Sequence, residues 1–263
     1  MLFIFFNEIG FSVEQWKHHP FDDAIKTSLL TKIKKFGEVF VYNPIFYNFF
    51  QFNKIIKNHK YNKEYVFEIK SIDLIAHCKR LFSEVYKLDS DFVLISHADG
   101  YIISHIFADL YKDNVKAIIN INGGHTSDWY KRWLEQDKNQ FIKKIKDREL
   151  KQLFYNLEKN KIVNETISLI DQVVKYYLYK QYMKIPTEFE CPVIIFNNLC
   201  MSDGFNTMDK FKFSNQMSKL NDNVKTFNYL DKSDLLYFDI EKELVEIIKK
   251  VVEDIKVNEV VNY

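Results

Sequence analysis

Short apolar runs alternate with longer amphipathic stretches along most of the chain. The apolar runs are rich in β-branched or aromatic residues and are bounded by polar or turn residues. They are Leu2–Phe6, Glu38–Tyr42, Phe92–Ile95, Val115–Ile121, Val193–Asn197 and Val224–Tyr229. Continuous runs of this length predict strands that are buried on both faces, as in a mostly parallel sheet.

Helical periodicity fills most of the intervals between these predicted strands. The predicted helices are Asp22–Lys35, Ser71–Lys87, Ile102–Tyr111, Asn206–Leu220 and Ile240–Ile255. The last one carries Leu244, Ile248 and Val251 on one stripe and Glu and Lys residues on the other, which is typical of a helix packed on a core. Strands that alternate with such helices predict an α/β domain with helices on both faces of its sheet.

Two segments interrupt the alternation. Asn43–Lys70 is aromatic and basic without clear periodicity, and Thr126–Ile185 is long and mainly helical. The sequence contains no internal repeat, low-complexity tract or Gly/Ser linker. We therefore do not divide the chain into independent domains.

One segment has the form of a catalytic motif without its reactive atom. Asp91–Gly100 has the pattern of an apolar strand and a sharp turn, and Tyr101 follows in a helical pattern. A nucleophile elbow is written small-x-nucleophile-x-small between a strand and a helix. Here Ser96 and Gly100 are the small residues, and Ala98 holds the place of the nucleophile. The methyl group of Ala98 cannot attack a carbonyl carbon.

Four features in this order resemble the α/β-hydrolase family. The first is Phe3–Trp16, which is similar to the family's strand, oxyanion loop and tryptophan, and the second is the elbow at Ala98. Thr126–Ile185 stands where the family inserts a lid, and Cys191–Phe196 is similar to its Pro-led strand before the acid loop.

The resemblance implies an α/β-hydrolase-like fold, with a mostly parallel sheet flanked by helices and an inserted helical lid. Residues 1–125 and 186–263 would form the core, and residues 126–185 the lid.

The family's catalytic triad consists, in chain order, of a nucleophile, an acid and a histidine base. The resemblance places Ala98 at the nucleophile position, Asp203 at the acid position and Asp234 at the base position. The seven histidines are at positions 18, 19, 59, 77, 97, 105 and 125. Because no histidine follows His125, no alignment brings one to the base position, and a serine hydrolase needs that base.

Other residues are expected near the former pocket. The resemblance places Asn7 and Glu8 in the oxyanion loop and makes the N–H of Asp99 the second oxyanion donor. The carboxylates of Glu8 and Asp99 would repel a developing oxyanion if they pointed inward. We expect His97 to pack or hydrogen-bond near the turn, and His125, which follows a strand end, could face the pocket.

Three other chemistries rest on weaker patterns. A metal site at His97 and His125 would have only Asp99 and Asp203 as obvious further ligands. Cys200 lies in the acid loop, but no motif supplies a histidine that would activate its thiol. The aromatic and basic residues 43–65 could stack on single-stranded nucleic acid, although the near-neutral net charge argues against this partner.

Composition narrows the function classes. Lys and Arg total 37 against 36 for Asp and Glu, so the chain has no general attraction to nucleic acid or acidic membranes. Three cysteines without zinc spacing predict free thiols in a reducing compartment. Met1–Phe6 is apolar but too short for a signal peptide or a membrane span. We therefore expect a cytoplasmic protein without a membrane span, a bound metal or a cofactor, and the sequence does not fix its oligomeric state.

These patterns leave two functions open. The first is a catalytically inactive pseudo-hydrolase that binds a small apolar ligand or a protein partner in or near the former active-site pocket. The alternative is an active esterase-like or lipase-like serine hydrolase in which Ala98 is an engineered replacement and Asp234 an unusual base. The joint absence of nucleophile and base favours the first function, whereas retention of a strained elbow favours the second.

Overall fold

The computed structural model describes residues 1–8, 16–19, 22–42, 73–136, 144, 146, 148–149, 172–173, 175–180, 187–200, 204–233 and 235–261. Its strands are β1 (Leu2–Phe6), β2 (His18–His19), β3 (Asp22–Lys26), β4 (Glu38–Tyr42), β5 (Phe92–His97), β6 (Val115–Ile121), β7 (Val193–Leu199) and β8 (Val224–Leu230). Six strands form one sheet in the order β4-β1-β5-β6-β7-β8, and β2 pairs with β3 in a separate ribbon. All neighbours in the six-stranded sheet run parallel.

The helices connect these strands. They are α1 (Leu29–Ile33), α2 (Leu74–Val85), α3 (Gly100–Leu110), α4 (Ser127–Glu135), α5 (Gly204–Leu220), α6 (Leu236–Asp239) and α7 (Glu241–Val261). Residues 175–180 are also helical, and we call them the roof segment. Within the described residues, no helix combines the length and apolar character needed to cross a membrane.

The hydrophobic core has two halves, one on each face of the sheet. Side chains alternate along a strand, so Leu2 and Ile4 contribute to one half and Phe3 and Phe5 to the other. The first half also holds buried residues of α2 and α3, and the second holds those of α1 and α7. Every residue of β1 is buried, which explains why its sequence is continuously apolar.

The six predicted strands of the main sheet are confirmed. Three match their predicted bounds, and β5, β7 and β8 continue one or two residues further, through polar positions such as His97 and Asn198. All carboxyl ends of the parallel strands meet at one edge of the sheet. In this fold class ligands bind at that edge.

The predicted helix over Asp22–Lys35 is wrong in its first half. Residues Asp22–Lys26 form β3, which pairs antiparallel with β2, and only Leu29–Ile33 is helical. The start of the short helix α1 is stabilised by Glu241 of α7, which accepts hydrogen bonds from the hydroxyls of Thr27 and Ser28. The segment 43–70 and most of residues 137–185 lie outside the described residues.

Candidate functional site

The turn after β5 has a left-handed residue between a strand and a helix. Ala98 has φ of +44°, a conformation that costs a non-glycine residue about 1–2 kcal/mol. Its N–H donates to the carbonyl of Ile121, 3.0 Å away, which ties the turn to β6. A left-handed residue between a strand and a helix is the backbone form of the predicted elbow.

Small residues are needed around this turn because other backbone lies against it. A Cβ on Gly100 would come 2.5 Å from the carbonyl oxygen of Phe6, and one on Gly123 would come 2.6 Å from that of Ala98. Strand β1, the elbow and the end of β6 are therefore in direct backbone contact. The backbone around Ala98 is therefore tightly packed.

His97 lies in the core beside the elbow. It is 1 % exposed, and its Nδ1 is 3.5 Å from a carboxylate oxygen of Glu8. Its ring meets those of Trp16 and Tyr237 edge to face, with centroids 6.2 and 5.1 Å apart. These contacts agree with a packing role for His97.

Asn7 directly follows the last residue of β1 and lies near the elbow. Its side-chain oxygen accepts a hydrogen bond from the indole N–H of Trp16, and the residue is 2 % exposed. Its amide nitrogen Nδ2 has no hydrogen-bond partner within the described part of the chain. A buried donor left in this state costs about 1–3 kcal/mol, so Nδ2 is a candidate contact for a ligand.

The carboxylate of Asp99 contacts two side chains from a distant part of the chain. One of its oxygens accepts a hydrogen bond of 2.8 Å from the hydroxyl of Tyr179, and the other lies 3.7 Å from the ammonium of Lys175. Both partners belong to the roof segment. Asp99 is 8 % exposed. Its buried carboxylate is therefore stabilised by the hydroxyl of Tyr179 and the ammonium of Lys175.

His125 pairs with a carboxylate that the sequence analysis did not consider. Its Nδ1 is 2.9 Å from Oδ2 of Asp209 on α5, and the backbone N–H of Thr126 donates to the same oxygen at 3.1 Å. Burial alone would raise the pKa of Asp209, but the hydrogen bonds from His125 and Thr126 outweigh it and hold the pKa below its usual value. Asp209 therefore stays ionised.

Aromatic rings pack around these two polar clusters. His125 stacks on Trp129 with centroids 4.0 Å apart. The Tyr179 ring meets Trp129, Tyr130 and Trp133 edge to face at 5.9, 4.7 and 4.8 Å. Aromatic rings thus pack beside the polar groups of His125 and Tyr179.

The side-chain amide of Asn198 connects the end of β7 to the turn after β8 by hydrogen bonds. Asn198 donates from Nδ2 to the carbonyls of Lys232 and Ser233, at 2.7 and 3.1 Å, and accepts from the N–H of Lys232 at 3.0 Å. Lys210 bonds the carbonyl of Asn198 at 2.8 Å and the side chain of Asn122. The hydrogen bonds given for Asn198 and Lys210 at these strand ends go mainly to backbone atoms.

Two of the predicted site residues, Asp203 and Asp234, lie outside the described residues. Their assignments to the acid and base positions stay predictions, as does that of Ala98 to the nucleophile position. The structure places Asn7, Glu8, His97, Ala98 and Asp99 together at the ends of β1 and β5. It places His125 four residues after the end of β6, bonded to Asp209 on α5. Within the described residues, no three His, Cys, Asp or Glu side chains form a group that could hold a metal ion.

The sequence pattern did not point to Asp209 or Tyr179, and it assigned no role to Asn198. Asp209 and Tyr179 each stand on a helical pattern, and an isolated polar residue on a helix carries no signal of its distant partner. Asn198 carried a weak signal, since it follows the predicted strand Val193–Asn197 at the edge where ligands bind.

The comparisons with known proteins agree with this architecture. No family model matches the sequence, and no curated protein sequence does either. Solved structures do match. A hydrolase from Oleispira antarctica superposes with a TM-score of 0.57 at 10 % identity, over 96 % of this chain and 90 % of that one.

Two esterases give similar values. A carboxylesterase of Nitrososphaera gargenis has a TM-score of 0.56 at 14 % identity, over 98 % of this chain and 91 % of that one. A thermophilic esterase from Thermogutta terrifontis has a TM-score of 0.53 at 9 % identity, over 97 % and 90 %. Identities this low carry the fold and nothing finer. The chain therefore has the α/β-hydrolase fold.

Proposed function

We propose that this protein is a non-hydrolytic member of its fold, which binds a small apolar ligand beside Ala98. The observation that carries the proposal is the elbow itself, since Ala98 holds the left-handed turn at φ +44° with a methyl group as its side chain. Loss of nucleophile and base together leaves only the weak rate effects of binding.

The histidines support the same conclusion. None follows position 125 in the sequence, so the turn after β8 has no imidazole. Near the elbow, His97 lies against Glu8, His105 bonds the side chain of Asn120 at 2.9 Å, and His125 bonds Asp209. Each imidazole thus has a structural contact that accounts for its position.

We further propose that residues 126–185 form the helical lid, on a core of residues 1–125 and 186–263. In support, helix α4 begins at Ser127, and Thr126 accepts a hydrogen bond from the N–H of Trp129 at its first turn. The roof segment contacts Asp99 one residue beyond position 98. The pocket would then have aromatic side chains on its lid side and Ala98 as its floor, with Asn7 Nδ2 as a buried donor for a polar atom of the ligand.

Ester hydrolysis assays test the absence of catalysis. We expect the protein to turn over p-nitrophenyl acetate and butyrate no faster than the buffer does, and to remain unlabelled by a fluorophosphonate probe. The variant Ala98→Ser should also lack a burst of p-nitrophenol, because no base takes its proton, with Ala98→Gly as the matched control. Turnover that is lost on changing Asp203 or Asp234 would refute the proposal.

The Ala98→Ser variant also tests the alternative function. If this single change produced a burst and steady turnover, the protein would be an esterase-like hydrolase with a replaced nucleophile. Native mass spectrometry of the purified protein tests binding. A co-purified small apolar molecule, absent from a variant with a bulky side chain such as Ala98→Phe, supports the ligand site, and a co-purified polypeptide would favour a protein partner.

A further inference from the structure

Strand β8 forms one edge of the six-stranded sheet. It pairs with β7 on one side, and no other strand of the described residues lies on its outer side. An edge strand offers a row of backbone N–H and C=O groups to another chain, and natural edges are usually blunted by proline, by a β-bulge or by charges. β8 has no proline, pairs with β7 in a regular register and carries Lys225 as its single charged residue. This edge is therefore open to pairing.

The bonds between β7 and β8 identify which backbone groups of β8 face outward. The N–H of Val193 donates to the carbonyl of Asn223 at 2.9 Å, and the N–H of Asp231 donates to the carbonyl of Leu199 at 3.0 Å. Because the backbone groups of successive residues point to opposite sides of a strand, the odd-numbered residues of β8 face β7. The residues whose N–H and C=O groups point away from β7 are therefore Val224, Thr226, Asn228 and Leu230.

The side chains of β8 bring apolar surface to the same edge. Phe227 and Tyr229 pack on the core half that holds α7, whereas Val224 packs on the half that holds α3. Phe227 stacks on Phe196 of β7 with ring centroids 5.1 Å apart, so a row of aromatic rings reaches the outer strand. Leu230, at the end of the strand, is 60 % exposed. A second strand at this edge would cover these side chains on both faces of the sheet.

We propose that two copies of this chain associate through β8, which pairs antiparallel with itself about a twofold axis at Phe227. This register gives every residue of β8 a counterpart in the second copy. The pairs are Phe227 with Phe227, Thr226 with Asn228, Lys225 with Tyr229 and Val224 with Leu230. Every outward N–H and C=O group of both strands then has a partner, and the two six-stranded sheets become one continuous sheet. The association does not depend on the proposed function.

Backbone pairing selects this axis over its neighbours. Only an axis at an outward or inward residue of the strand keeps each face of one sheet continuous with the same face of the other. An axis at Thr226 would place the outward groups of Leu230 opposite a residue outside β8, and an axis at Asn228 would do the same to Val224. The axis at Phe227 uses the whole strand.

Charge complementarity supports the same register. Lys225 of one copy lies opposite the neutral Tyr229 of the second, at the border of a groove with three acidic and two basic side chains. Just beyond the strand ends, Asp222 of one copy comes level with Lys232 of the other, and the twofold axis repeats this pair. Like charges directly opposite one another destabilise a strand pair, and this register contains none within β8.

Sedimentation equilibrium tests the association and its register. We expect the unchanged protein at micromolar concentration to have twice the 31.6 kDa mass of one chain. Thr226→Asp combined with Asn228→Asp sets like charges opposite one another twice, so the dissociation constant should rise at least about tenfold. Thr226→Lys combined with Asn228→Asp sets opposite charges there, and the constant should stay within about threefold of the unchanged value. The shared change keeps the Asn228 oxygen that accepts from Asn197 at 3.0 Å, so each double variant is the matched control of the other.

Three results would overturn the proposal. The first is a monomer for the unchanged protein over the whole micromolar range. The second is a dimer that neither double variant weakens, which would place the interface elsewhere. The third is an equal loss of association in two well-folded double variants, which would contradict the pairing of Thr226 with Asn228. Circular dichroism of both variants establishes that they are folded.

Disulfide formation tests the position of the axis independently. Phe227→Cys places two thiols directly opposite one another in a non-hydrogen-bonded pair, where the side chains are close enough to be bridged. We expect a covalent dimer on a non-reducing gel after mild oxidation with copper phenanthroline. Thr226→Cys is the control, because its two thiols would be diagonal neighbours about 7–8 Å apart, and the unchanged protein with its own three cysteines gives the background. A covalent dimer of Thr226→Cys alone, or of neither variant, would refute the axis at Phe227. Should Phe227→Cys fold poorly, the two double variants decide.

Discussion

The substitution Gly100→Ala tests how closely the elbow packs on β1. The added Cβ would lie 2.5 Å from the carbonyl oxygen of Phe6 and 2.6 Å from that of Asn7, whereas ordinary contact begins at 3.4 Å. Both are backbone atoms, one in the last residue of β1 and one in the residue after it. The clash therefore cannot be relieved by the rotation of a side chain. Relief requires β1 and α3 to separate by several tenths of an ångström.

We expect Gly100→Ala to lower the free energy of unfolding, whereas the same substitution usually raises it in a helix. Alanine favours a helix over glycine by up to about 1 kcal/mol, and overpacking of a tight site costs about 1–3 kcal/mol or more. Because the contact is with fixed backbone, we expect the steric cost to dominate and the free energy of unfolding to fall by about 2 kcal/mol. Gly204 is the matched control, since it also begins a helix and a Cβ there meets no atom of the described residues within 4 Å.

Urea unfolding followed by tryptophan fluorescence measures both variants. Gly100→Ala should have a lower midpoint than the unchanged protein, and Gly204→Ala an equal or higher one, with similar slopes. Equal midpoints for the two variants would refute the close approach of the elbow to β1, and with it the geometry on which the candidate site depends.

Three further changes have expected outcomes. Ala98→Gly should raise the free energy of unfolding by about 0.5–1 kcal/mol because glycine tolerates positive φ, whereas Ala108→Gly within helix α3 should lower it; a loss in both would contradict the left-handed turn. Asp209→Asn should flatten the acid limb of the stability–pH curve. The pKa of Asp209 is lower in the folded than in the unfolded protein, so its contribution is present above about pH 4 and is lost as the pH falls through the folded value. An acid limb that keeps its slope would count against this linkage. Glu241→Gln should cost about 1 kcal/mol, because it weakens hydrogen bonds from the start of α1, and the exposed Glu253→Gln should cost almost nothing; thermal unfolding that shifts equally in both would show that α1 does not depend on Glu241.

The sheet was predictable because its strands carry their burial in their own composition. A strand covered on both faces must be apolar at nearly every position, so β1 and β6 stand out in the sequence. The ends of β5 and β7 were less visible, because His97 and Asn198 are polar residues that still pair in the ladder. The error at Asp22–Lys26 has a related cause, since pairing with β2 overrides a helical pattern of the same residues.

What could be predicted at the site depends on how far apart the interacting residues are in the sequence. The motif around Ala98 is local, so a single reading of ten residues predicts its strand, turn and helix. The bonds that surround it are not local, since Tyr179 lies eighty positions from Asp99 and Asp209 eighty-four from His125. The hydrophobic periodicity of the sequence does not predict which distant residues will pair.

The sequence by itself determined that position 98 has no nucleophilic atom and that no histidine follows position 125, because folding rearranges side chains but cannot create them. Only the tertiary structure decided what the remaining polar groups do. It pairs Asp99 with the roof segment, Asp209 with His125, and Asn198 with the turn after β8. The physical reason is that a buried charge or amide must find a partner, and which partner lies within reach depends on the fold as a whole.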